Sequence, residues 1–226
     1  MRNTRRTATI ARHVPRVLLV VVVLAAGACA SWSAKQKGAV IGAAAGATAG
    51  GLIGRANGST ARGAIIGAAV GGTAGAIIGH QMDQQAKELQ IDIPGATVER
   101  VGEGIQVTFA SGLLYDFDSD AIRPAAAANL QRLATSLKKF SDTELLIVGH
   151  TDALGSTAYN QDLSARRATS ASSYLSTQGI QHDRMRTTGR GELEALGTNE
   201  TEAGRQVNRR IEVAIFAGRS TRTGSQ

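Results

Sequence analysis

Hydrophobic and polar positions divide the chain into three stretches of different period. Residues 17–28 form an unbroken apolar run, Val17-Leu-Leu-Val-Val-Val-Val-Leu-Ala-Ala-Gly-Ala28. Residues 38–79 are small and apolar, with glycine at every fourth position: Gly38, Gly42, Gly46, Gly50 and Gly54. After Arg55-Ala-Asn-Gly-Ser-Thr-Ala-Arg62 the spacing recurs at Gly63, Gly67, Gly71, Gly75 and Gly79, in a copy offset by 25 residues with 12 identities in 18 positions. From His80 onward the pattern becomes that of a globular domain.

Within that last stretch, Thr97 to Ala110 alternates on both sides of Glu103-Gly104 and predicts a two-stranded hairpin. Pro124 opens a helix through Phe140, with Leu130, Leu133 and Leu137 on one face. Glu144 to Gly149 predicts a short buried strand. A second helix over Ala158 to Gln178 ends at Gly179, and a strand follows over Arg184 to Gly189. Glu202 to Gln206 predicts a helical turn and Arg209 to Phe216 a final strand. Strands interleaved with two main helices predict an α+β domain, a mixed sheet in a two-layer α/β sandwich. His80 to Gln90 reads as a polar continuation of the preceding helix, broken by Pro94-Gly95, so 80–96 is expected to be a linker.

Composition and charge alter this picture at the N-terminus. The net charge of +7 suggests a polyanion binder, but Arg2, Arg5, Arg6, Arg12 and Arg16 lie in the first 28 residues, which hold no acid. Without them 20 basic residues face 18 acidic ones, too even a balance for nucleic-acid binding. A basic stretch, a dozen apolar residues and then small residues form the layout of a secretory signal over 1–28. At ~1.5 Å per residue that run reaches only ~18 Å, short of the ~30 Å hydrocarbon core.

Cys29 is the single cysteine, so no internal disulfide is possible. Leu24-Ala-Ala-Gly-Ala-Cys29 resembles a bacterial lipobox, although Ala26 stands where Leu or Val is usual. Ala26-Gly-Ala28 also fits ordinary signal-peptidase cleavage, which would leave Cys29 free. Lipidation is favoured because a free thiol is a liability in an oxidising compartment. Residues 29–37 would then be the lipidated N-terminus and tether. Ala30-Ser31, with no Asp after the cysteine, resembles outer-membrane sorting with the C-terminal domain in the periplasm.

A spacing of four places the glycines of each block on one drifting helical stripe. Each interior glycine costs about 1 kcal/mol relative to alanine in water. The pattern makes sense where the stripe admits another backbone, as small-xxx-small pairs do in lipid. Asn57-Gly58 would turn the chain, predicting an antiparallel helical hairpin over 38–79 that inserts in a membrane or self-associates. The other reading is a loosely packed low-complexity spacer. The segment resembles the glycine-zipper segments of bacterial envelope proteins.

Six short motifs follow in order across about a hundred residues. They are Phe117-Asp-Ser-Asp120, Gly149-His-Thr-Asp152, Tyr159-Asn160, Leu163-Ser-Ala-Arg-Arg-Ala168, Gly189-Arg-Gly-Glu192 and Gly204-Arg-Gln-Val-Asn-Arg-Arg210-Ile-Glu212. Together they resemble the OmpA-like domain of outer-membrane proteins, the peptidoglycan-associated lipoprotein and flagellar stator subunits, and predict domain bounds of 97–217 with a disordered tail over 218–226. The resemblance implies binding of peptidoglycan, without catalysis, through the diaminopimelate of its stem peptide. Such a domain would tether the outer membrane to the wall. That amino acid ends in an ammonium and a carboxylate, so its site needs one anion and one cation held apart. The resemblance assigns these to Asp152 and Arg167, with Asp120, Thr151, Asn160 and Arg209 in supporting hydrogen bonds. Spacing alone favours a surface ion pair between Asp152 and Arg167; the ordered motifs reverse that preference. Ala153-Leu154 departs from the Asn or Ser and Thr usual after the aspartate.

The alternative function is an oligomeric pore or stator-like component, in which zipper hairpins associate and the C-terminal domain only anchors them. The zipper arms hold no ionisable residue, which argues against proton-driven work. A hydrolase built from His150, Asp152 and Ser164 is disfavoured, because the first two stand two residues apart at a strand end with no nucleophile elbow. Four histidines and one cysteine show no metal-ligand spacing, and no cofactor motif is present.

Overall fold

The computed structural model describes residues 59–71 and 76–218. The signal segment, Cys29, the tether, the first zipper arm, the Asn57-Gly58 turn and residues 219–226 lie outside them. Helix α1 (Thr60–Gly71) and helix α2 (Ala76–Asp92) precede strands β1 (Ala96–Val101) and β2 (Gly104–Ala110). A short helix α3 (Ser111–Leu114) and helix α4 (Pro124–Lys139) lead to β3 (Thr143–Gly149) and helix α5 (Thr157–Thr177). A 3-10 turn (His182–Arg184), β4 (Met185–Gly189), helix α6 (Glu202–Asn208) and β5 (Arg210–Ala217) complete the domain.

The five strands form one sheet in the order β1-β2-β5-β3-β4. Only β3 and β4 run parallel, as expected for strands joined by a crossover helix, here α5. β5 is central, pairing antiparallel with β2 through Val107↔Val213 and with β3 through Ile147↔Val213. All eight of its residues are buried, because helices cover both faces of the sheet.

Alternation along the strands sorts the two faces. Ile105, Val107, Phe109, Leu145, Ile147, Ile211, Val213 and Ile215 join Leu130, Leu133 and Leu137 of α4 and Leu175 of α5 in the main core. Pro124 occupies the first turn of α4, where no intrahelical amide bond is lost, and Ser156 caps α5 by accepting from the Tyr159 amide. These elements fall where the hydrophobic pattern put them.

The segment before the hairpin differs from expectation. Residues 80–96 are not a free linker: Met82, Ala86, Leu89 and Ile93 of and after α2 are buried in the main core. Their spacing of four, three and four makes one helical stripe against α4 and β1. The second zipper arm also differs. α1 lies on the opposite face of the sheet, where Ala61 and Ile65 pack with Val148, Ala214 and Phe216. It adds a third layer to the expected two-layer sandwich. No helix among the described residues is long and apolar enough to cross a membrane.

Two glycines set how closely α5 approaches the sheet. A Cβ on Gly149 would stand 2.0 Å from the Ser164 carbonyl oxygen, and one on Gly189 would stand 2.5 Å from the Ala165 amide nitrogen. Backbone cannot yield as a side-chain tip can. Gly149→Ala is therefore expected to destabilise by about 3 kcal/mol and lower the thermal midpoint by about 10 °C. Gly112→Ala, where an added methyl meets open space, should leave it unchanged. Circular-dichroism melts of both variants check this.

Candidate functional site

The candidate site gathers at the C-terminal end of β3, where the chain leaves the sheet through His150, Thr151 and Asp152. His150 continues the ladder by donating its amide to the Arg210 carbonyl at 2.9 Å, and the Thr151 amide donates to the Gly191 carbonyl at 2.9 Å. Asp152 is then fixed through both oxygens. Its Oδ1 accepts the Leu154 amide at 3.0 Å, and its Oδ2 accepts Arg209 Nη1 at 2.5 Å. Arg209 also holds Glu202 on α6 through Nη2 at 2.5 Å. Against its burial, these two carboxylates raise the pKa of Arg209 further.

Arg167 comes from α5 and is held by other means. It is only 5% exposed. Its Nε donates to the Ser119 carbonyl at 2.8 Å, its Nη2 reaches the Asp116 carbonyl at 3.4 Å, and its guanidinium lies 5.3 Å from the centre of the Tyr115 ring. The Tyr115 hydroxyl donates back to the Arg167 carbonyl at 2.6 Å. Burial lowers the pKa of Arg167, opposed by the fields of Tyr115, Asp118, Asp120 and Asp152. Among the described residues no hydrogen bond occupies its Nη1. Asp152 and Arg167 thus do not neutralise each other in a direct ion pair: one is held by Arg209, the other by two carbonyls and a ring.

The remaining candidates take distinct places. Asn160 is buried in the first turn of α5 and donates Nδ2 to Glu192 Oε2 at 2.5 Å. Thr157 Oγ1 donates to the other Glu192 oxygen at 2.8 Å, so Glu192 clamps the start of the helix that carries Arg167. Thr151 is buried and its hydroxyl has no partner among the described residues. Asp120 is half exposed and faces Arg166 Nε at 3.7 Å, leaving Arg167 to the carbonyls. Tyr159 donates to Asp118, which sits at φ 54° in the left-handed region. Phe117, Leu154 and Tyr159 expose apolar surface beside these charges, Phe117 almost completely.

Sequence reasoning named Arg209 as a supporting residue but missed its pairing with Asp152 and the layer beneath it. Arg209 and Arg210 are neighbours on the chain but serve opposite sides. Arg210 is buried, with Nε on Glu212 Oε1 at 2.7 Å, Nη2 on the Glu194 carbonyl at 3.0 Å and Nη1 on the Asn208 carbonyl at 3.3 Å. His150 lies between two carboxylates, with Nε2 3.6 Å from Glu212 and Nδ1 4.0 Å from Glu194. Burial lowers the His150 pKa despite them, so the ring is neutral at neutral pH. The ring is buried and packs beneath the site. Burial pushes Glu212 up, but His150 and Arg210 outweigh it and hold the carboxyl at about 2. Among the described residues no cluster of His, Cys, Asp or Glu is arranged to hold a metal.

Residues 114–209 match the OmpA family model, and residues 11–83 match the YMGG-like Gly-zipper model. The chain is 36% identical over 114 residues to outer membrane protein A of Bordetella avium, covering 50% of this chain and 59% of that protein. It is 33% identical over 138 residues to the probable lipoprotein YiaD of Escherichia coli (strain K12), covering 60% and 63%. It therefore spans about three fifths of these relatives. The cell wall anchor of the type VI secretion system from Pseudomonas aeruginosa superposes with a TM-score of 0.53 at 29% identity, over 59% of this chain and 96% of that one.

The depressed carboxyl and imidazole pKa values fix the sign of the acid response. A buried neutral imidazole favours the folded state above the ordinary value of 6.5 and loses that advantage as pH falls. Glu212 adds stability above its ordinary 4.5, lost as pH falls toward about 2. Thermal midpoints should decline below pH 6.5 and drop more steeply between 4.5 and 2. Glu212→Gln, which strands Arg210 in the interior, should cost about 3 kcal/mol or more at pH 7 and flatten the lower limb of that curve. With the fold, the ordered motifs and both family matches in agreement, residues 114–209 form an OmpA-family domain that follows a segment matching the YMGG-like Gly-zipper family.

Proposed function

We propose that the C-terminal domain binds peptidoglycan without catalysis, taking the diaminopimelate end of the stem peptide between Asp152 and Arg167. One observation carries this reading: the field of Asp152 reaches Arg167, yet each is held by other partners, so neither is consumed by the other. Arg167 Nη1 would meet the ligand carboxylate as a charge-assisted donor. Asp152, fixed by Arg209 and the Leu154 amide, would accept the ligand ammonium. The exposed Phe117 and Leu154 side chains would flank the peptide, Leu154 offering apolar contact where the usual polar residue would offer a hydrogen bond. A similar cell wall anchor of known structure and the YiaD relative's description as a lipoprotein support this reading.

Neighbouring groups support no reaction. His150 is sealed beneath the site, and the Ser164 hydroxyl donates to the Gln161 carbonyl and accepts the Gly191 amide, which ties it to the backbone. The domain would stand in the periplasm, attached to the outer membrane through acylated Cys29. Lipid chains contribute about 0.8 kcal/mol per buried methylene, so two or more hold the protein firmly without a spanning helix.

Asp152→Ala and Arg167→Ala are each expected to abolish co-sedimentation with purified sacculi while leaving the far-ultraviolet spectrum unchanged. Sedimentation at the wild-type level by both variants overturns the assignment. The anchor is tested separately by the intact mass of the mature protein, which should show a diacylated or triacylated cysteine at its N-terminus. A mass that places unmodified Cys29 at or near that terminus removes the lipid from the picture.

A further inference from the structure

The start of α1 is tied chemically to the layer under the candidate site. Ser59 caps the helix by accepting the Arg62 amide at 3.2 Å, and its hydroxyl donates to Glu212 Oε2 at 3.0 Å. The Thr60 amide donates to Glu194 Oε2 at 3.0 Å and its hydroxyl to Glu194 Oε1 at 2.5 Å. Both carboxylates are buried, and α1 supplies three of the donors that hold them there. Burial would raise the Glu194 pKa, but Thr60 and then Arg190 outweigh it and lower it.

From these carboxylates the connections run directly to the site. Glu194 accepts Arg190 Nε at 2.9 Å, and the Arg190 amide donates to the Gly149 carbonyl at 2.9 Å. The next residue, Gly191, receives the Thr151 amide, beside Asp152. Glu212 pairs with Arg210, and the residue before it is Arg209, the cation on Asp152. Asn208 accepts the Leu196 and Gly197 amides, each at 2.8 Å, and donates to Asn199 at 2.9 Å; Asn199 in turn accepts the Ala153 amide at 3.1 Å. Removing α1 would take Ser59 and Thr60 from two buried anions and open the 190–199 segment that braces both Thr151 and Ala153.

We propose that Ser59 and Thr60 are positioning residues for the wall-binding site, so that docking of α1 on the sheet and capture of the diaminopimelate end are thermodynamically linked. This rests on the reading given under Proposed function. Linkage is reciprocal: a ligand that prefers the docked state must hold the arm down by the same factor as the docked arm tightens the ligand. The arm is well suited to such a role. A 12-residue helix with glycine at 63, 67 and 71 does not hold itself together in water, so leaving the sheet means unfolding or moving to another apolar surface. In the same chain the glycine repeat thus reports to the wall site whether its second arm is seated.

The test uses the full chain in detergent and a soluble muropeptide carrying meso-diaminopimelate, with the lysine-containing analogue as control. Hydrogen exchange should show slower exchange of the 60–71 amides on adding the first muropeptide and no change with the control. Asp152→Ala should erase that protection. The double variant Ser59→Ala with Thr60→Val should bind the muropeptide at least fivefold more weakly, as coupling of ordinary size requires; Thr60→Ser should restore affinity. Binding by the wild type with no protection of 60–71 overturns the linkage, even where the double variant fails to fold. So does unchanged affinity in a folded double variant whose arm exchanges freely. If the wild-type chain does not bind the muropeptide at all, the wall-binding reading falls, and this inference with it.

Discussion

The register of β5 is the constraint on which the structure turns. Arg209 reaches Asp152, whereas Arg210 and Glu212 point together into the layer beneath α1, paired with each other at 2.7 Å. Side chains alternate along a strand, so a slip of one residue would exchange the faces. It would drive Arg210 and Glu212 into the core of Ile105, Val107 and Phe109, and carry Ile211, Val213 and Ile215 under α1. An ion pair stripped of the Glu194 carbonyl and the Ser59 hydroxyl in that core would cost more than the shifted hydrophobics return. A buried ion pair is weak evidence for stability, since hydrophobic replacements often do as well. Here it has a different use. It fixes which face is which in a strand whose eight residues are all buried, where hydrophobicity alone would not discriminate.

Once β5 is in register, the geometry of the candidate site follows from close approach. Gly149 and Gly189 let α5 lie against the parallel pair β3 and β4 with its backbone almost touching theirs. That distance brings Arg167 over Tyr115 and against the 116–119 loop while Asp152 leaves the end of β3. Each charge then has its own scaffold: Arg209 and a main-chain amide for the acid, two carbonyls and an aromatic face for the base. A pair that satisfied only itself would have to break before a zwitterion could bind. This arrangement holds both charges in place with no such step.

Much of this was legible in the sequence because the relevant signals are local. Leu130, Leu133 and Leu137, the Pro124 start, the break in alternation at Glu103-Gly104 and the alternation of β2 lie within single elements. The pairing of Asp152 with Arg209 spans 57 positions, and that of Ser59 with Glu212 spans 153; no local period carries either. The stripe Met82, Ala86, Leu89 and Ile93 was readable, but the polar residues between its members made the segment look like a linker. Asp120 illustrates the converse. Its place in a motif suggested a supporting hydrogen bond in the site; its carboxylate lies 3.7 Å from Arg166, and its field also reaches Arg167.

The glycine repeat shows why composition specifies an approach distance more readily than a partner. Small residues every fourth position permit close packing, and lipid-embedded helices are one setting where that is useful. The second arm meets a sheet with the same requirement. Ile65 lies over Gly104, where an added Cβ would come within 2.5 Å of its Cγ2, and Ala61 rests against the strand centre beside Ala214 and Phe216. What selects the sheet over any other small-residue surface is polar: two buried carboxylates that need donors, and a helix start bearing Ser59 and Thr60 that supplies them. Gly104 admits Ile65, and Ser59 and Thr60 supply the donors.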